Sequence, residues 1–162
     1  MIDIWNQIKE NHKDWNVYLY GNGNNELREK FQQRINELNL KNNFHLLPSI
    51  ENNKLLEIMS KSKIYALTSY SECFPVIILE AMSKGMVVIS YDCPNGPRNI
   101  IDNNTNGILV QNGEKVLFAK ELDKLINDEN KQKFIRENAL IDIENFSKKA
   151  IMEKWFLLVN NL

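Results

Sequence analysis

Cysteine is nearly absent: Cys73 and Cys93 are the only two in 162 residues. Two thiols are too few for a disulfide scaffold or a zinc cage, and they suit a reducing compartment. No apolar run approaches the roughly 18 residues of a membrane span. The opening Met1-Ile2-Asp3-Ile4-Trp5-Asn6-Gln7 mixes acid and amide with apolar groups, so it does not read as a signal peptide. Charge of one sign is also missing. With 20 basic and 21 acidic side chains the formal net charge is -1, which leaves no electrostatic footprint for a nucleic acid. No low-complexity linker and no repeat interrupts the chain. Arginine is scarce, 4 against 16 lysines, while asparagine reaches 24 and isoleucine 18. That skew points to an AT-rich, bacterial genome, and it leaves an isolated asparagine with little functional weight. What is present is ordinary: 43% hydrophobic and 25% charged residues, the mix of a folded protein rather than a disordered one, at the length of one domain.

The apolar pattern alternates between helical and strand periods. Ile2, Trp5 and Ile8 predict a helix over 2–12. Val17-Tyr18-Leu19-Tyr20 predicts a strand broken by Gly21-Asn22-Gly23. Asn25 is a candidate cap for a helix carrying Leu27, Phe31, Ile35 and Leu38. Strands follow at 43–47 and 64–68, separated by a helix that opens at Ser49 or Glu51. A helix over 75–84 starts with Pro75 in its first turn and ends at Gly85. Met86 to Tyr91 is a near-continuous apolar run, as suits a parallel strand covered on both faces. A short strand at 108–110 and helices near 114–127, 130–139 and 147–160 complete the pattern. Trp155, Phe156, Leu158 and Val159 form an apolar stripe expected in the core or, in a two-domain parent, packed across the domain boundary. Repeated βα units with short connections imply a doubly wound, Rossmann-like parallel sheet with right-handed crossovers. Such a domain normally opens on a strand, yet this chain opens on a helix. Either the sheet lacks its first strand or the chain begins inside a larger protein.

Ligands bind such sheets at the carboxyl ends of the strands. The segment there that is richest in chemistry is Ser69-Tyr70-Ser71-Glu72-Cys73-Phe74-Pro75, which leads into a helix whose first amides and dipole favour an anion. Val76 and Ile77 would present those amides. Glu72 and Glu80, eight positions apart, could face one cleft and accept hydrogen bonds from sugar hydroxyls. Read singly, they could as well be a helix-start acid and a solvated surface acid.

The surrounding string decides between these readings. Ser-Glu-Cys-Phe-Pro-Val-Ile-Ile-Leu-Glu-Ala-Met-Ser-Lys-Gly-Met-Val-Val-Ile-Ser resembles the signature of retaining glycosyltransferase family 4: Glu, seven residues, Glu, with Phe two positions after the first. Asp92 to Ile101 and Asn106 to Val110 resemble the family's next two blocks. Leu19-Tyr20-Gly21-Asn22-Gly23 with Glu26-Leu27 resembles its Gly-x-Gly turn. The Gly-Pro variant is similar to enzymes building capsular and other surface polysaccharides. The resemblance covers nearly the whole chain, residues 1–162, in unbroken block order.

The resemblance implies a GT-B architecture of two Rossmann-like domains, of which this chain matches the carboxy-terminal, donor-binding one. It implies a nucleotide-sugar donor, UDP- or GDP-linked, and hexosyl transfer with retained configuration. By position, Glu72 would stand at the reacting centre. Phe74, Val76 and Ile77 would bring amides to the diphosphate and sugar, and Glu80 would hold the ribose hydroxyls. Leu47 and Pro48 fall where the backbone meets the base, and Gly21 and Gly23 keep the first strand end open. Cys73, inside the same loop, is counted with the donor contacts. No metal or cofactor is expected, since helix amides and basic side chains stabilise the leaving diphosphate, and no acidic or histidine cluster has metal spacing. A glycan or lipid-linked acceptor would be bound by an amino-terminal domain that this chain lacks, in the cytoplasm and through the parent enzyme at the inner face of the membrane. An isolated nucleotide-binding module without turnover is the alternative. A GT-B epimerase is disfavoured by the Glu72–Glu80 spacing with Phe74.

Three departures stand out. The family's diphosphate-neutralising Arg and Lys have no counterpart, because Lys9 and Lys13 belong to or follow the first helix. The acceptor domain is missing. Pro75 replaces a common Gly. His12 and His45 are isolated, and His45 reads as a core or rim residue, with no nucleophile beside it.

Overall fold

The β-branched and aromatic runs separate cleanly from the longer amphipathic segments. The structure, a computed structural model, describes residues 1–160. In chain order the elements are α1 (Ile2–Ile8), β1 (Val17–Tyr20), α2 (Asn25–Glu37), β2 (Phe44–Leu47), α3 (Asn52–Ser60), β3 (Ile64–Leu67), α4 (Val76–Ser83), β4 (Val87–Asp92), β5 (Ile108–Gln111), α5 (Lys115–Asn127), α6 (Glu129–Asp142) and α7 (Lys148–Asn160). Short 3-10 turns follow α1, β4 and α6.

All strand pairs are parallel. β1 pairs with β2 in one ribbon, and a second ribbon has the order β3-β4-β5. The expected single sheet is therefore divided, with no ladder between β1 and β3. Strand alternation distributes side chains to two cores. Val87, Ile89 and Tyr91 of β4 join α1, α5, Ile35 of α2 and Ile135 of α6 in one core. Val88 points to the opposite face, where Met59 of α3, Ile78, Ala81 and Met82 of α4 and Ala139 of α6 cover it. Helices on both faces of parallel strands make the fold doubly wound and Rossmann-like.

β4 is the most buried strand: Val87, Val88, Ile89 and Ser90 are fully inaccessible. Each of its branched apolar side chains contributes roughly 1.5–3 kcal/mol by leaving water. Chain ends of the helices follow local chemistry. Asn24, one residue before the expected cap, accepts a bond from the Leu27 amide at 2.7 Å, and Asp128 caps α6 by accepting from Lys131. Gly85, at φ 76, turns the chain after α4 in the left-handed region that favours glycine.

One expectation fails. The helix over 148–160 forms, but Trp155, Phe156, Leu158 and Val159 are not core: each is more than half exposed. α7 lies mainly against the turn Ile143–Phe146 that precedes it. The helical period was read correctly, but periodicity does not say what the stripe packs against.

This division of core and surface predicts a contrast measurable by urea unfolding. Ile89→Ala should cost about 2–5 kcal/mol through lost burial and a residual cavity. Trp155→Ser should leave stability within about 0.5 kcal/mol.

Candidate functional site

Parallel pairing brings every strand's carboxyl end to one edge, and the loops there are tied to one another. The Gly21 amide donates to the Leu47 carbonyl at 3.1 Å. Asn22 donates through Nδ2 to Ser49 Oγ at 2.5 Å and accepts from the Ser49 amide at 3.0 Å. The turns after β1 and β2 are thus clasped. A Cβ on Gly21 would meet nothing within 4 Å, and one on Gly23 would only graze Leu27 at 3.7 Å. The space above both glycines is open. Leu47 is half-buried and Pro48 exposed at the rim of the same clasp.

The loop between β3 and α4 holds the segment Ser69 to Pro75 singled out from the sequence. Its Tyr70 carbonyl accepts from Asn112 Nδ2 at 3.0 Å. On its other side Gly96, after β4, packs without a side chain to spare. A Cβ there would stand 2.8 Å from Glu72 Cβ, 3.3 Å from the Glu72 carbonyl oxygen and 3.3 Å from Pro75 Cδ. Cys93 is fully buried below Glu72; burial pushes its thiol up, and a bond from the Glu72 backbone works in the opposite direction. Cys73 is exposed. Phe74 is 45% exposed and leans on Phe146, ring centroids 6.1 Å apart.

α4 begins at Val76, with Pro75 as the residue before it rather than inside it. The two expected amide donors then separate. The Val76 amide is engaged by the Phe74 carbonyl at 2.9 Å, and the Ile78 amide by Pro75 at 2.9 Å. The Ile77 amide has no such backbone partner outside the helix, and it sits too early for one inside. The Ile77 amide at the start of α4 is therefore without a backbone acceptor, and the Val76 amide has one.

Glu72 and Glu80 are both half-buried, and both bear on one phenol. Tyr65 of β3 is pushed up to about 12, first by burial and then by the negative fields of Glu72 and Glu80. The two carboxylates named from the sequence thus share a neighbourhood, with a neutral phenol beside them.

The basic side chains near this edge are largely committed. Arg98 grips Asp92 with two bonds, Nε to Oδ1 at 2.8 Å and Nη2 to Oδ2 at 2.6 Å. Lys115 at the start of α5 meets Asp3 at 2.9 Å. Arg28 in the first turn of α2 donates to the Leu46 carbonyl at 3.0 Å. Among the described residues no group of three His, Cys, Asp or Glu is placed to hold a metal, and no helix is long and apolar enough to cross a membrane. The histidines have structural surroundings: His12 is buried and bonds Asp123 at 2.8 Å, and His45 stacks on Tyr18 and bonds Asn16 at 3.0 Å.

Sequence reasoning missed Tyr65, Asn22, Ser49 and the packing role of Gly96. Tyr65 and Gly96 act through neighbours distant in sequence. Asn22 was obscured by the abundance of asparagine.

A family profile described as glycosyl transferases group 1 matches residues 1–141. The chain belongs to that family. It is 31% identical over 152 residues to a Campylobacter jejuni alpha-1,4-N-acetyl-D-galactosaminyltransferase that acts on an undecaprenol-linked saccharide, covering 94% of this chain and 40% of that protein. It is 28% identical over 166 residues to a Staphylococcus aureus poly(ribitol-phosphate) alpha-N-acetylglucosaminyltransferase, covering 99% and 32%. Among solved structures, an Anabaena HepE complex with UDP superposes with TM-score 0.84 at 25% identity, covering 99% of this chain and 44% of the other. The chain spans less than half the length of the curated relatives it matches.

Two expectations follow from the geometry. Gly96→Ala should displace the Glu72 loop and cost about 1–3 kcal/mol by overpacking, read as a lowered urea midpoint. Tyr65 should ionise near pH 12, giving a late step in phenolate absorbance that Tyr65→Phe removes. Because the folded state holds that proton more tightly, its stabilising contribution is complete below about pH 10 and is lost as pH rises toward the folded value.

Proposed function

We propose that residues 1–162 are the donor-binding domain of a retaining glycosyltransferase. The parent enzyme moves a hexosyl group from a UDP- or GDP-linked sugar to a glycan or lipid-linked acceptor in bacterial surface polysaccharide synthesis, working in the cytoplasm at the inner membrane face. The observation that carries this reading is the unpaired Ile77 amide at the head of α4, beside Glu72 and within one helix of Glu80. A helix start with a free amide suits a diphosphate, and it stabilises the charge that develops as the diphosphate leaves. Glu80 accepts bonds from the ribose hydroxyls. Glu72 faces the transferred sugar, and Cys73 and Phe74 line its approach. The open space above Gly21 and Gly23 admits the nucleotide, with Leu47 and Pro48 against the base. Binding energy spent on the nucleotide then positions the sugar for transfer.

The committed state of Arg98 and Lys115 favours one second reading, in which the chain by itself binds nucleotide weakly and turns nothing over. In the first reading the acceptor is held by protein outside these residues.

Glu72→Ala in the full-length parent should lower turnover by on the order of 10²-fold or more while its unfolding midpoint stays close to wild type. Near-normal turnover would remove Glu72 from the reacting centre. Calorimetric titration of the 162-residue chain with UDP and GDP, alongside a sugar-transfer assay, separates the two readings: binding without transfer marks a module, and no nucleotide binding sinks both.

A further inference from the structure

Two buried polar atoms lack partners at one place, under an exposed ring. Tyr91 of β4 is 1% exposed, and its hydroxyl bonds nothing. Asn112, just after β5, donates through Nδ2 to the Tyr70 carbonyl at 3.0 Å and leaves Oδ1 buried and unpaired. The carbonyl it faces fixes which side-chain atom is the nitrogen, so the orphan is the oxygen. Both residues meet Tyr70. Its ring lies 5.9 Å from that of Tyr91, tilted by 36°, and a Cβ on Gly113 would stand 3.4 Å from its Cε1. Phe118, in the first turn of α5, closes edge-on against Tyr91 at 5.0 Å. Burial pushes the Tyr91 phenol up, and Tyr70 and Glu114 push it the same way, as suits a hydroxyl at the head of α5.

Orphaned groups of this kind cost stability and call for an occupant. The cover over them is movable. Tyr70 is 59% exposed, and its backbone, not its ring, takes the Asn112 bond. The ring can turn outward while the loop stays in place. The two atoms also define what fits beneath it. Asn112 Oδ1 only accepts, so the incoming group must donate, whereas the Tyr91 hydroxyl can do either. A carboxylate or a diphosphate brings no donor. The head of α5 suits an anion poorly in any case: Glu114 occupies its cap position, and Lys115 is committed to Asp3 at 2.9 Å. Hydroxyl groups donate and accept, and they carry no charge. The Tyr70 face beside them is an apolar surface with a polar tip. Neighbouring hydroxyls on a ring with an apolar face are the chemistry of a pyranose.

We infer that the head of α5 beneath Tyr70 is a saccharide subsite, in which Tyr70 turns outward to cover one pyranose ring while Tyr91 and Asn112 bond its hydroxyls. The subsite is separate from the residues expected at the donor. Gly21 and Gly23 follow β1 on the other ribbon, and Ile77 and Glu80 lie on α4, which covers the second core, whereas Tyr91 and Phe118 belong to the first. A ring of a glycan held mainly outside these residues can rest here, two positions from Glu72. The inference uses the family membership and not the donor assignment, so neither falls with the other.

The test follows amide shifts of the 162-residue chain by NMR, without nucleotide, during titration with the methyl α-pyranosides of glucose, galactose, N-acetylglucosamine and N-acetylgalactosamine. Expected are saturable shifts at Gly113, Val116, Leu117 and the Asn112 side-chain amide with at least one of these sugars. Tyr91→Phe keeps the ring and should weaken that binding at least about fivefold. It should leave the urea midpoint no lower than wild type, since the hydroxyl it removes has no partner in the free chain. Tyr70→Ser, which removes the covering ring, should weaken the same binding. No saturable shift with any of the pyranosides overturns the inference. So does unchanged affinity in Tyr91→Phe, or inorganic phosphate moving these amides in place of the sugars, which marks an anion site. A lowered Tyr91→Phe midpoint without sugar shifts assigns the two atoms to an ordered water and overturns it as well. UDP titrated separately is read at Gly21, Gly23 and Ile77, so a failure of the donor reading shows at different amides.

Discussion

The fold depends on β4 having no free surface. Its backbone is paired on both sides, to β3 and β5, and its side chains are covered on both faces. A strand so placed must be apolar at nearly every position, since a polar group there would be desolvated without a partner. Ser90 meets this constraint by donating its hydroxyl to the Tyr91 carbonyl at 2.8 Å. Because β4 cannot shift, the loop that leaves it cannot either. Asp92 is held by Arg98, and Gly96 presses directly against the backbone of Glu72. The loop from Ser69 to Pro75 inherits its position from the most buried strand through a contact that only glycine permits.

Legibility in the sequence follows the range of each interaction. The strands were readable because β-branched and aromatic runs are local signals, and the Rossmann-like class followed from their alternation with helices. Glu72 and Glu80 could be named as candidates because the Glu-x7-Glu spacing is itself local. Longer-range facts were not. That Val76 spends its amide on Phe74 depends on how Pro75 turns the chain at ψ 85, which no spacing reveals. Asn22 and Ser49 meet across 27 positions in a chain with 24 asparagines, so nothing marked that one. The stripe on α7 had the helical period of a core face but not the cover.

Electrostatics at the carboxyl edge shows a second imbalance. Glu72, Glu80 and Asp92 gather there, and the nearby cations are spent on carboxylates or carbonyls of this same chain. A pair such as Lys115 with Asp3 is half exposed and contributes little stability, but it does set the local charge: Asp3 is held low by the Lys115 bond and Lys115 is raised by the same contact. An anion arriving at the head of α4 meets one free amide and a helix dipole, worth about 0.3–1 kcal/mol at an exposed terminus. That is weak attraction for an anion facing two carboxylates.

The break in the sheet and this shortage of free positive charge fall at the same place. The switch point of a doubly wound sheet is where strand order reverses, and here the reversal lies between β1 and β3, the two strands that do not pair. The loops on either side, after Tyr20 and after Leu67, carry Gly21 and Glu72. Their separation is fixed at present only by what each ribbon does separately: the Asn22–Ser49 clasp on one side and the Gly96 contact on the other. Neither tie crosses the break.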